Sequence, residues 1–124
     1  MLARVIPRRT LSLALALLAL PGPLRAHSEL RGSVPAEGAR LSASPAEIVL
    51  RFNERVQVTT LRLLDSAGRA LPLRRVGGAD PAPEARAAPS VPLGAGAYRV
   101  EWRAISADGH PIGGALRFSV EAAR

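Results

Sequence analysis

The chain has 124 residues, with 17 basic side chains that are all arginine, ten acidic ones and a formal charge of +7. It contains no cysteine, one methionine, two histidines and four aromatic residues. One domain is the expectation at this length, and a disulfide scaffold, a cysteine-ligated zinc or iron–sulfur centre and a cysteine nucleophile are excluded.

Arg4, Arg8 and Arg9 precede an apolar run from Leu11 to Leu20, Pro21-Gly22-Pro23 breaks it, and Leu24-Arg25-Ala26 ends on a small residue. This order is that of a cleaved secretory signal. This ten-residue stretch, all Leu and Ala but for Ser12, spans about 15 Å as a helix, roughly half a bilayer core, which is too short for a stable membrane span. Residues 1–26 are therefore expected to be a signal peptide and 27–124 the mature domain, without membrane insertion after cleavage. Cleavage removes four arginines and leaves thirteen basic against ten acidic side chains over 98 residues, a net +3. The remaining arginines are interleaved with Glu and Asp, as on solvated strand faces, and form no run of the kind that binds nucleic acid.

Beyond the signal, Ser33-Val34-Pro35-Ala36-Glu37-Gly38 reads as a turn between two short edge segments. Ala46 to Val56 alternates, with Ile48, Leu50 and Phe52 on one side and Val49, Arg51 and Asn53 on the other. Thr60 to Leu64 is a second apolar stretch, Asp65-Ser66-Ala67-Gly68 is turn chemistry, and Arg69 to Val76 can return from it. Gly77 to Pro92, rich in Gly, Ala and Pro, reads as a long exposed crossover loop. Ala97 to Ile105 alternates Tyr98, Val100, Trp102 and Ala104 against Arg99, Glu101 and Arg103, with Trp102 in the core. Gly114 to Val120 sets Leu116, Phe118 and Val120 inward. Short strands at this spacing predict an all-β domain, a Greek-key β-barrel or sandwich.

The two histidines carry the chemistry. His27 is the first residue after the expected cut. A free N-terminal histidine offers its amine and its imidazole Nδ1, and together they close a chelate ring on one metal ion. His110 lies in Asp108-Gly109-His110-Pro111. If this segment is extended, residues 108 and 110 share a side and reach one ion together. If Asp-Gly is a hairpin turn, His110 is a turn residue and His27 a loose terminus. Three nitrogens and a carboxylate oxygen favour Cu(II). With neither Met nor Cys after cleavage, soft ligands for Cu(I) are missing, so copper held here is the oxidised ion.

One long stretch, Tyr98-Arg99-Val100-Glu101-Trp102-Arg103 followed by Ser106, Asp108, His110-Pro111 and Gly114, resembles a pattern of the CopC family of periplasmic copper-resistance proteins. Pro35-Ala36-Glu37-Gly38 and Ile48 to Glu54 are similar to two further family segments. The resemblance implies an immunoglobulin-like Greek-key barrel of about seven strands and one high-affinity Cu(II) ion per chain, held by His27, Asp108 and His110. It sets Glu54 beside the copper as an outer-shell or weak ligand. It further implies a monomeric, non-enzymatic periplasmic protein of copper homeostasis that sequesters copper or passes it to an inner-membrane transporter of the CopD family. A Met-rich Cu(I) loop found in some members is missing, since Thr60 to Leu73 holds neither Met nor His.

Two other functions compete. An N-terminal histidine also resembles the copper brace of polysaccharide monooxygenases, but four protein donors leave little room for oxygen. A metal-free interaction module would need neither histidine.

Overall fold

The structure, a computed structural model, describes residues 28–123, and every regular element among them is a strand. In chain order these are β1 (Leu30–Val34), β2 (Ala39–Leu41), β3 (Ile48–Leu64), β4 (Ala70–Leu71), β5 (Leu73–Val76), β6 (Ala82–Pro89), β7 (Gly96–Ile105) and β8 (Pro111–Val120). The expected all-β class stands. The strands number eight rather than about seven, because Pro72 splits the return from the Asp65 turn into β4 and β5.

β3 organises the molecule. Its first half pairs with β1 and β6, and its second half with β7 and β4. The two apolar stretches read as separate are thus one 17-residue strand. Its register shifts between Arg51 and Val56 against β6, and between Val58 and Thr60 against β7. Such irregularities bend and twist a strand. Here they carry β3 from a β1-β3-β6-β5 sheet into a β2-β8-β7-β3-β4 sheet, so the two curl around one core. All pairings are antiparallel except that of β2 with β8.

The predicted inward faces meet in that core. Ile48, Leu50, Leu63 and Val100 are fully buried. Phe52 and Trp102 pack edge to face with ring centroids 5.2 Å apart, and Tyr98 stacks on Phe118. Val49, expected on the outward side, is buried as well, between the paired strands at Val34 and Arg86. The arginines lie on solvated faces as anticipated. Arg51 meets Glu84 directly across the β3–β6 ladder, and Arg86 reaches both Glu47 and Glu84. The turn after β3 forms as read: Asp65 Oδ1 accepts the N–H groups of Ala67 and Arg69, and Gly68 takes the left-handed φ of +81°.

One expectation fails. Residues 77–92 are not an exposed crossover loop, since β6 occupies 82–89 between β3 and β5, with Ala85, Ala87 and Ala88 buried. Alanine alternates poorly by hydropathy, and proline argues against a central strand. Pro83 is tolerated because it falls where the β3–β6 register shifts, so its missing N–H removes no regular ladder bond.

Close packing of β7 on β8 makes one glycine a sensitive site. A Cβ at Gly114 would lie 3.0–3.2 Å from Trp102 ring atoms, whereas one at Gly32 meets nothing within 4 Å. Gly114→Ala is expected to destabilise by about 1–3 kcal/mol in denaturant unfolding, the usual range for overpacking, and Gly32→Ala to be neutral. Equal stability of the two variants would contradict this packing.

Candidate metal centre

β7 and β8 form a hairpin whose register runs unbroken to Ile105 opposite Pro111. The five residues between them are a tight turn. Ser106 N–H donates to His110 O at 2.8 Å, and Gly109 N–H to Ser106 O at 2.9 Å. Gly109 has φ +87°, a left-handed conformation that favours glycine. The segment is therefore not extended. Asp108 and His110 come together because the chain reverses, so the hairpin reading of Asp-Gly and the pairing of the two side chains hold at once.

Ser106 builds the turn from inside. It is 6% exposed. Its hydroxyl accepts the His110 N–H at 3.1 Å and donates to Asp108 Oδ1. The other carboxylate oxygen, Oδ2, lies 3.1 Å from His110 Nδ1. These contacts, the Ser106 hydroxyl first and the His110 ring second, hold the Asp108 carboxyl down at about 2 from an ordinary value of 3.8. Asp108 is thus an anion at any physiological pH. Nδ1 faces this carboxylate, which leaves Nε2 as the ring nitrogen turned away from it. Both side chains stand largely in solvent, 64% exposed for Asp108 and 78% for His110.

A second set of contacts brings the start of the described chain to this turn. Ser28 is buried, and its hydroxyl donates to Glu54 Oε2 at 2.9 Å while accepting the Ala107 N–H at 3.3 Å. Beside it, Glu29 N–H donates to Asn53 Oδ1 at 2.8 Å, and Asn53 N–H to Glu29 O at 3.1 Å. Glu54 therefore holds Ser28 from β3, while Ala107 holds it from the turn. His27 and the expected signal, residues 1–26, lie outside the described residues. Among the described residues no three His, Asp or Glu side chains form a metal-holding group. Of the residues singled out from the sequence, the structure brings Asp108 and His110 into contact and links Glu54 to the same turn through Ser28; the roles of Ser28 and Ser106 were missed. Ser106 stands inside the long pattern and Ser28 adjoins His27, and position was the only signal either gave.

Residues 30–121 match the model of the CopC domain. Copper resistance protein C of Pseudomonas syringae pv. tomato is 37% identical over 106 residues, covering 78% of this chain and 82% of that protein. Copper transport protein CutJ of Bacillus subtilis is 32% identical over 87% of this chain but only 20% of its own length. Among solved structures, CopC from Methylosinus trichosporium OB3b superimposes with a TM-score of 0.70 at 31% identity, over 79% of this chain and 97% of that one.

The turn can be tested without metal. Ser106→Ala removes the donor that most strongly favours the Asp108 anion, so the Asp108 pKa is expected to climb from about 2 towards the ordinary value, read by carboxyl-carbon NMR titration of the metal-free protein. Because the folded-state value is the lower one, the carboxylate's contribution to stability is present above the unfolded value and lost as pH falls towards 2. An unchanged titration in the variant would remove Ser106 from this account.

Proposed function

The chain belongs to the CopC family, whose members are copper-binding resistance proteins and not enzymes, and on that premise we propose that it is a periplasmic Cu(II) carrier of copper resistance and homeostasis. In this reading the signal peptide is removed after Ala26. One cupric ion is then held by the freed amine and imidazole of His27 together with Asp108 and His110, and Glu54 stands outside the ligand set. The single observation that supports it best is the double contact of the Ser28 hydroxyl with Glu54 and Ala107. These contacts anchor Ser28, the residue that follows His27 in sequence, at the turn that bears Asp108 and His110.

The chemistry of the site agrees with its cargo. The two side-chain donors on the turn are a fixed carboxylate and an imidazole, both suited to Cu(II). No sulfur ligand for Cu(I) remains in the mature chain. The exposure of Asp108 and His110 suits a protein that must release its ion to another. The recipient in this reading is an inner-membrane copper transporter of the CopD family. The match to about a fifth of a larger copper transport protein supports that pairing, since there the same domain is joined to a longer chain. The carrier acts as a monomer.

The N-terminal chelate predicts two effects on Cu(II) affinity. One extra residue ahead of His27 converts the chelating amine to an amide and is expected to weaken binding by orders of magnitude in a competition titration. Equal affinity would refute the amine as a ligand. Affinity is also expected to fall from pH 8 to pH 5, because protons compete for two imidazoles and an amine. A flat profile would contradict a nitrogen-rich site.

A further inference from the structure

The strand that follows the metal turn is open along part of its outer edge. Arg117 N–H donates to Glu37 Oε2 at 2.9 Å, and Arg117 O accepts from Gly38 N–H at 2.7 Å, so the backbone groups of Arg117 point away from β7. Backbone direction alternates along a strand, and the β7–β8 register has no shift. Gly113 and Ala115 therefore direct their N–H and C=O groups to that same outer side. β2 pairs with β8 only from Phe118 to Val120, and among the described residues no strand pairs with Gly113 or Ala115 on that side. Exposed edges are usually blunted by charge, proline or a bulge. Here Glu37 closes the edge at Arg117, Pro111 bounds it at the metal turn, and two glycines leave the interval between them bare.

The face beside this edge is basic. An open groove of about 720 Å³ runs along the outside of β3, β7 and β8, from Arg62, Arg99 and Glu101 past Arg103 to Ile105 and Pro111. Glu101 pairs with both Arg62 and Arg99. Arg103, whose stem would lie 3.6 Å from a Cβ at Gly113, has no carboxylate partner among the described residues. Arg117 stands directly opposite Arg99. Four arginines against Glu101 and the edge-capping Glu37 leave an excess of two positive charges. Like charges across a ladder are destabilising, and a second copy adding its own β8 here would multiply them.

We propose that the β8 edge from Pro111 to Ala115 is a docking site for an extended acidic segment of a partner protein, which adds as a strand beside the metal turn. Main-chain bonds to Gly113 and Ala115 supply affinity, and the arginines select carboxylates. The edge and its charge are independent of the copper reading. Only the identification of that partner as the copper acceptor rests on it.

The test uses the exported, ¹⁵N-labelled protein and two blocked six-residue probes of alternating Val and Glu or alternating Val and Lys. The Glu probe is expected to shift the Gly113 and Ala115 amides and slow their hydrogen exchange, while the Lys probe leaves them unchanged. Ala115→Pro removes an edge-facing N–H without touching the β7 ladder, and Arg103→Glu reverses the unpaired charge. The first is expected to abolish the response, and the second to weaken Glu-probe binding about tenfold or more. Circular dichroism and Cu(II) affinity of both variants should match the parent, which separates failure of docking from failure of the copper site. No protection at Gly113 and Ala115, equal binding of both probes, or protection that grows with protein concentration without probe would overturn the proposal, the last by assigning the edge to a second copy.

Discussion

The hydroxyl of Ser28 joins three parts of the molecule that are far apart in sequence. It donates to a carboxylate at the midpoint of β3 and accepts an N–H from the β7–β8 turn, and it sits on the residue after the expected first residue of the mature chain. That contact ties the start of the described residues directly to the turn that bears Asp108 and His110, while the Glu29–Asn53 bonds tie it to β3. On the proposed reading, it is what makes an N-terminal chelate part of one site with that turn. A buried hydroxyl that loses such partners carries a desolvation cost of about 1–3 kcal/mol, so the latch has an energetic basis as well as a geometric one.

The rest of the fold explains how those parts arrive together. β3 is long enough to serve both sheets, and its irregular stretch between Arg51 and Val56 contains Asn53 and Glu54, the two residues that receive the chain start. An irregular segment of strand can aim side chains that a regular ladder would leave facing solvent. The β7–β8 hairpin contributes the opposite wall. Its register is unbroken, its core contact is Trp102 folded across Gly114, and its turn is held internally by Ser106. The hairpin thus presents two exposed donors on an internally bonded turn, the combination that the proposed release of copper calls for.

Much of this was legible in the residues. The alternation over Tyr98 to Ala104 and Leu116 to Val120 identified the hairpin strands and their inward faces, and Asp65-Ser66-Ala67-Gly68 announced its turn. Alanine and proline hid β6, because neither hydropathy period nor strand propensity marks a segment such as Ala82 to Pro89. The continuity of β3 was hidden by the same bulges that let it change sheets. In the site, Asp108 and His110 were recognisable from side-chain chemistry and from the family pattern. The expected reason for their proximity was partly mistaken, since they meet through a left-handed glycine in a turn and not through strand alternation. Ser28 and Ser106 were not legible because a serine becomes informative only once its burial and partners are known.

The account stands on a cupric ion gripped by the processed terminus and the hairpin turn together. Electron paramagnetic resonance of the exported protein loaded with one equivalent of Cu(II) tests this most directly. A tetragonal spectrum with nitrogen hyperfine structure, simplified when His110 is replaced by Ala and again when the terminus is blocked, is the predicted result. A spectrum without nitrogen coupling, or one indifferent to both changes, would contradict it.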